Sequence, residues 1–194
     1  MKHDRCLACG EAAAEERIEA LLVEHNGRTT EIQDRRMVCG VCSNVSYSGK
    51  QISEHEIAVG AAIRKLDGLL TADELHRIRS KYRLKQTDME QMLATGPKTW
   101  TRWERGKIPQ SKPTDKLIRA IAEDPDLARE LMRQAGVVNP EAEATFDQID
   151  RDAKQIAGAM LRAELGDLTD QVIEKAYKSV RDARRRVASQ AEAA

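Results

Sequence analysis

Gln86-Thr87-Asp88-Met89-Glu90-Gln91-Met92-Leu93, then Ala94-Thr95-Gly96, then Pro97-Lys98-Thr99-Trp100-Thr101-Arg102-Trp103-Glu104-Arg105-Gly106 is the stretch that decides the fold. Its first part, led in by Arg83-Leu84-Lys85, reads as a short helix, and Ala94 to Gly96 reads as a tight turn. Pro97 suits a helix start, where its missing N–H has no intrahelical role, and Gly106 suits a helix end. Trp100 and Trp103 stand three apart and share one face, which places them in the core; Lys98, Thr99, Thr101 and Arg102 project elsewhere. Two short helices with separated apolar and basic faces make a helix-turn-helix. Glu104 is expected to hold an internal salt bridge or hydrogen bond, and Lys85 replaces the usual Ser or Thr cap, a loss of roughly 1 kcal/mol.

Charge agrees with this reading. The chain carries 32 basic and 32 acidic residues in 194, yet His76 to Arg119 holds twelve Lys and Arg against four Asp and Glu. A local excess of that size is the electrostatic footprint of a nucleic-acid surface. On either side, Thr71-Ala72-Asp73-Glu74 opens a helix with Leu75, Ile78 and Tyr82. Lys112-Pro113-Thr114 opens one with Leu117, Ile118 and Ile121, and Asp124-Pro125-Asp126 one with Leu127, Leu131 and Met132. Residues 73–138 are therefore expected to form a five-helix DNA-binding domain. Ahead of it, Ser53 with Glu56 has the form of a capping box for a connecting helix over 53–72, with Ile57, Ala61, Ile63, Leu66 and Leu70 on one face and a break at Gly68.

All four cysteines lie in the first quarter of the chain, as Cys6-x-x-Cys9 and Cys39-x-x-Cys42 with 29 residues between the pairs. Two such turns can converge four thiolates on one tetrahedral ion at about 2.3 Å. One structural zinc per chain is the expectation. Rubredoxin-type iron shares the spacing but wants an aromatic shell, and only Tyr47 is near in sequence; a thioredoxin-like redox pair would need a βαβ context that is missing. Between the pairs, Arg17 to Glu24 and Arg28 to Gln33 flank His25-Asn26-Gly27, and Asn-Gly is the strongest two-residue hairpin signal. A β-hairpin module over 1–52, poor in apolar residues, should fold around its ion. The fold class is α+β.

Gln86 and Trp103-Glu104-Arg105-Gly106 resemble the Xre/Cro-type helix-turn-helix. That resemblance implies that Lys98 and Arg102 reach base edges in the major groove, with Thr99 and Thr101 as lesser contacts, and that Gln86, Lys107 and Lys112 meet phosphates. The whole span from Cys6 to Met132, a four-cysteine module followed by an Xre-type domain, resembles the MqsA family of antitoxins. The resemblance implies a zinc domain that binds and occludes a ribonuclease toxin, and a helix-turn-helix domain that dimerises on an inverted-repeat operator and represses its own operon. The family commonly has Asn where Lys98 stands, so the operator should differ. A free-standing zinc-containing Xre regulator is the alternative, and a rubredoxin-like electron carrier a third reading.

Residues 139–194 extend beyond the family's shorter members. Phe146, Ile149, Ala153, Ile156 and Met160, then Leu161, Leu165, Leu168 and Val172, then Ala176, Val180, Ala183 and Val187 recur at three- and four-residue steps. Two amphipathic helices broken near Gly166-Asp167 are expected, as a helical hairpin or a dimer seam, with Asn139-Pro140 as linker and Arg184-Arg185-Arg186 as a solvated last turn. His3, His25, His55 and His76 show no metalloprotease spacing, and no phosphate loop or nucleophile elbow occurs, so no enzyme is expected. Without a run of ten apolar residues or an apolar N-terminal segment, a cytoplasmic protein with no membrane partner is expected.

Overall fold

A computed structural model describes residues 5–165 and 169–191, and divides the chain into two units, Met1–Val138 and Asn139–Ala194. The first begins with strands β1 (Ala14–His25) and β2 (Arg28–Cys39), antiparallel from Ala14↔Cys39 to His25↔Arg28. Asn26 and Gly27 take φ of 51° and 70°, the paired positive values of a tight hairpin turn whose twist matches the strands. A two-residue strand β3 (Val45–Ser46) pairs with Met37 and Val38, giving sheet order β1-β2-β3. Two residues are too few to show an alternation, so the sequence did not announce β3.

Helix α1 (Gly49–Asp67) corrects the expected start at Ser53: the cap is Ser48, boxed with Gln51. Both serines have a Gln or Glu three residues on; Gln51 additionally donates to Glu16 Oε1 at 2.9 Å, a tertiary bond that favours the earlier start. The expected apolar face also fails. Ile57 is exposed and Leu70 lies past the helix, whereas Gln51, Gly60, Ala62 and Arg64 are the buried positions. Gly68, at φ 66°, ends α1 as expected.

Five helices follow: α2 (Ala72–Lys81), α3 (Gln86–Met92), α4 (Thr99–Glu104), α5 (Lys112–Glu123) and α6 (Pro125–Gln134). Thr71 and Glu74 form the anticipated capping box of α2, while Ser111 and Asp124 cap α5 and α6 ahead of a proline. Lys85 offers α3 no side-chain cap; instead Asp88 turns back and accepts the Lys85 N–H at 2.8 Å. Pro97 does not begin α4. The helix starts at Thr99, with Lys98 as a left-handed cap at φ 62°, and ends at Glu104 with Arg105 as its C-cap, followed by Gly106, also left-handed at φ 75°. Leu75, Tyr82, Met89, Trp100, Ile118, Ile121 and Met132 are almost wholly buried and, with the buried Trp103, make the core, so the expected inward placement of both tryptophans holds.

The second unit consists of two helices, α7 (Pro140–Leu165) and α8 (Asp170–Ala191), packed against each other. Asn139 is not a loose linker: its Oδ1 accepts the Ala142 N–H at 3.1 Å and so caps α7. Gly158 admits Ile173, whose Cγ2 would stand 3.1 Å from a Cβ at that position. Ion pairs of Lys154 with Glu174 and of Arg181 with Asp150 fix the antiparallel alignment. The expected break at Gly166-Asp167 lies outside the described residues, as do the side chains of Arg184 to Arg186.

Candidate metal centre and nucleic-acid interface

The two C-x-x-C turns are built alike. In the first, the Gly10 N–H closes on Cys6 O at 2.9 Å with Gly10 at φ 78°; in the second, the Ser43 N–H closes on Cys39 O at 2.9 Å with Ser43 at φ 57°. Each turn aims a backbone N–H at its leading sulfur, from Ala8 to Cys6 and from Val41 to Cys39, both at 3.4 Å. All four sulfurs lie within 4.8 Å of one another. Sulfurs 2.3 Å from a tetrahedral ion sit about 3.8 Å apart, and the Cys6–Cys42 and Cys9–Cys39 pairs stand at 3.6 and 3.7 Å.

Those contacts divide the four thiols. Backbone N–H groups of Cys9 and Ala8 favour the Cys6 thiolate and lower its pKa to about 6. The N–H groups of Cys42 and Val41 likewise lower Cys39. At Cys9 the Glu11 N–H also favours the thiolate, but sharing a proton with Cys42 and Cys6 and burial push it up to about 12. Four sulfurs this close cannot all ionise beside one another without a cation, so the donor set fits a thiophilic tetrahedral metal ion. Cys39 is the last residue of β2 and Gly40 bonds back to Ala13 at 2.9 Å, so the cluster clamps the open end of the hairpin.

The basic surface is centred on α4. Lys98 and Arg102 are exposed and have no side-chain partner among the described residues, which leaves both heads available to a ligand. Thr99, half-buried, opens the helix. Gln86 and Thr101 are drawn inward: Thr101 Oγ1 donates to Gln86 Oε1 at 2.8 Å, and Gln86 Nε2 donates to Glu104 Oε2 at 2.5 Å. Lys107 pairs with Glu56 at 3.1 Å and Lys112 with Asp67 at 3.0 Å. The structure thus brings Lys98, Thr99 and Arg102 together, and ties the other four predicted contacts to protein groups.

Glu104 holds the internal ion pair and hydrogen bonds that the sequence led one to expect. Its nearly buried carboxylate accepts from Arg79 Nε at 2.6 Å and Nη2 at 3.1 Å, from Trp100 Nε1 at 2.6 Å and from Gln86. Burial alone would raise its pKa, but Arg79, Gln86 and Trp100 outweigh it and hold the carboxyl below the usual range. The bonds lock α4 to α2 and α3.

Three further groups gave no sequence signal. Asp34, on β2, is buried and accepts from Tyr47 at 2.7 Å and contacts His55 Nδ1 at 2.8 Å; against the effect of burial, these partners keep its carboxyl ionised at lower pH than usual. Asp67, at the end of α1, gathers His25 at 2.8 Å, Arg28 at 2.5 Å and Lys112. Arg64 is buried and donates to backbone carbonyls of the last turn of α4 and just beyond it. Each depends on partners thirteen to forty-five residues away, beyond the reach of any local pattern.

The family model described as the antitoxin component of a bacterial toxin-antitoxin system, MqsA, matches residues 4–132. That span includes every cysteine and all of α1 to α5. None of the curated proteins compared with the chain matches it. No helix among the described residues is long and apolar enough to cross a membrane.

Proposed function

The chain belongs to the MqsA family of antitoxins, and from that membership we propose that it binds and neutralises a ribonuclease toxin and represses its own operon as a homodimer on an inverted-repeat operator. The observation that carries the DNA half is the pair Lys98 and Arg102, exposed and without a side-chain partner among the described residues at the cap and in the body of α4, while Lys107 and Lys112 are paired. Arg102 grips guanine O6 and N7 in the major groove, and Lys98 and Thr99 contact adjoining edges. Lys107 trades an exposed ion pair, which is individually weak, for a phosphate oxygen, and Lys112 does the same while His25 and Arg28 stay on the nearly buried Asp67. Gln86 and Thr101 serve by holding α4 in place, with Gln86 at the phosphate margin. The cysteines hold one structural zinc, which supplies a fixed tetrahedral anchor and no redox chemistry.

The test is binding of the full chain to duplex DNA spanning the start of its own operon, read by fluorescence anisotropy against a scrambled duplex. A preference for the operator that Arg102→Ala reduces supports the repressor. Equal affinity for both duplexes refutes it. Co-purification with the product of the adjacent reading frame, in fixed stoichiometry, supports the antitoxin half; recovery of DNA alone makes the protein a solitary regulator.

A further inference from the structure

The zinc-type module and the helix-turn-helix are not strung on a loose connection: α1 touches both along its length. On one side the hairpin lies against it from first turn to last, through Gln51 with Glu16, His55 with Asp34, and Asp67 with His25 and Arg28. On the other, Arg64 is 3% exposed and forms no ion pair among the described residues. Its guanidinium donates to Gly106 O at 3.0 Å, to Trp103 O at 3.2 Å and to Ile108 O. Carbonyls at a helix C-terminus lack intrahelical donors and attract cations, so this arginine completes the end of α4. Gly60, one turn earlier, permits the approach: a Cβ there would stand 2.4 Å from Gly106 O, a backbone atom that cannot swing aside. Lys107 with Glu56 adds an outer contact.

We infer that α1 is a strut and Arg64 a positioning residue, through which the cysteine-clamped hairpin holds the end of α4, so that metal occupancy sets the order of the DNA-facing helix. The consequence for DNA rests on the nucleic-acid reading of α4; the mechanical coupling does not. When the metal leaves, the hairpin loses its closed end, α1 loses the sheet that aligns it, and the three carbonyls lose a fixed donor. Metal loss would then release operator binding even though no cysteine touches DNA.

Amide hydrogen exchange of the full chain, before and after stripping metal with EDTA, tests the coupling. Metal removal should speed exchange over 99–108 by roughly tenfold or more, well beyond any change in α5, since freed donors and lost tertiary contacts lower local opening energies. In Arg64→Ala those amides should already exchange fast with metal bound, and chelation should add little. Arg64→Lys, whose ammonium reaches fewer carbonyls, should fall between. Gly60→Ala keeps the charge and displaces α1, and should mimic Arg64→Ala; it decides the matter if the arginine variant fails to fold. Unchanged exchange over 99–108 after chelation, or equal acceleration in α5, overturns the coupling. Coupled exchange in a metal-loaded protein that binds no operator refutes the DNA reading alone.

Discussion

Replacing Glu104 by Gln keeps the shape of a side chain that four donor contacts surround and removes only its charge. Gln86 can adapt, because turning its amide presents oxygen to the new NH2 and its own NH2 to Thr101 Oγ1, which also accepts. Trp100 Nε1 can keep the remaining oxygen. Arg79 cannot adapt: its Nε and Nη2 face one carboxylate at 2.6 and 3.1 Å, and one of those bonds would now meet a donor. Arg79 is 16% exposed at its side chain and Glu104 6%, so solvent replaces little of the loss. A hydrogen bond between charged groups contributes about 1.5–3 kcal/mol and breaking a buried pair costs about 3–5, so about 3 kcal/mol is expected, a fall in Tm of about 10 °C. Urea denaturation at pH 7 with tryptophan fluorescence measures it, the only two tryptophans being Trp100 and Trp103. The effect has a pH signature. With its folded pKa lowered, Glu104 contributes its full stability above the unfolded value near 4.5 and loses it as pH falls through the folded value. The gap between the parent and Glu104→Gln should therefore close in acid. A loss below about 0.5 kcal/mol at pH 7 would show that the exposed edge of the pair controls its energy, and a pH-independent gap would refute the charge argument.

Other outcomes follow from single positions. Cys42→Ser should abolish stoichiometric metal, read by elemental mass spectrometry as about one zinc per parent chain, and should collapse the β1–β2 signal in circular dichroism. Ser43→Gly, at φ 57° where Gly10 stands in the sister turn, should stabilise the module by about 1 kcal/mol in thermal unfolding of the metal-bound protein. Lys98→Asn, relieving a left-handed lysine at φ 62°, should raise stability by about 0.5 kcal/mol while altering base preference in a binding-site selection. Arg102→Ala should cost about 1–3 kcal/mol in operator affinity with no change in Tm, since its head touches no described residue.

What the sequence made legible was local. Asn26-Gly27 set the hairpin and its register, the paired C-x-x-C turns announced a four-sulfur cluster, and the Trp100–Trp103 spacing put both rings inside. What it hid was tertiary. Ser48 and Ser53 are equally good caps on paper, and the choice is made by Gln51 reaching β1. Pro97 looks like a helix start until Lys98 is seen in a left-handed conformation that only the turn geometry imposes. Four of the twelve cations counted toward a nucleic-acid face are paired with carboxylates: Arg79 with Glu104, Lys107 with Glu56, Lys112 with Asp67, Arg119 with Asp115. Net charge counted them all equally, because it carries no information on pairing.

Arg64 grips α4 entirely through main-chain oxygens, of Trp103, Gly106 and Ile108. Every amino acid supplies a carbonyl, so the grip places no demand on which side chains the outward face of that helix displays. On the DNA-binding role proposed above, Lys98, Thr99 and Arg102 can be exchanged for other readers without disturbing the hold, and a protein engineer could swap operator preference there as one changes the bit in a chuck. Divergence toward new DNA targets is open to this scaffold for the same reason.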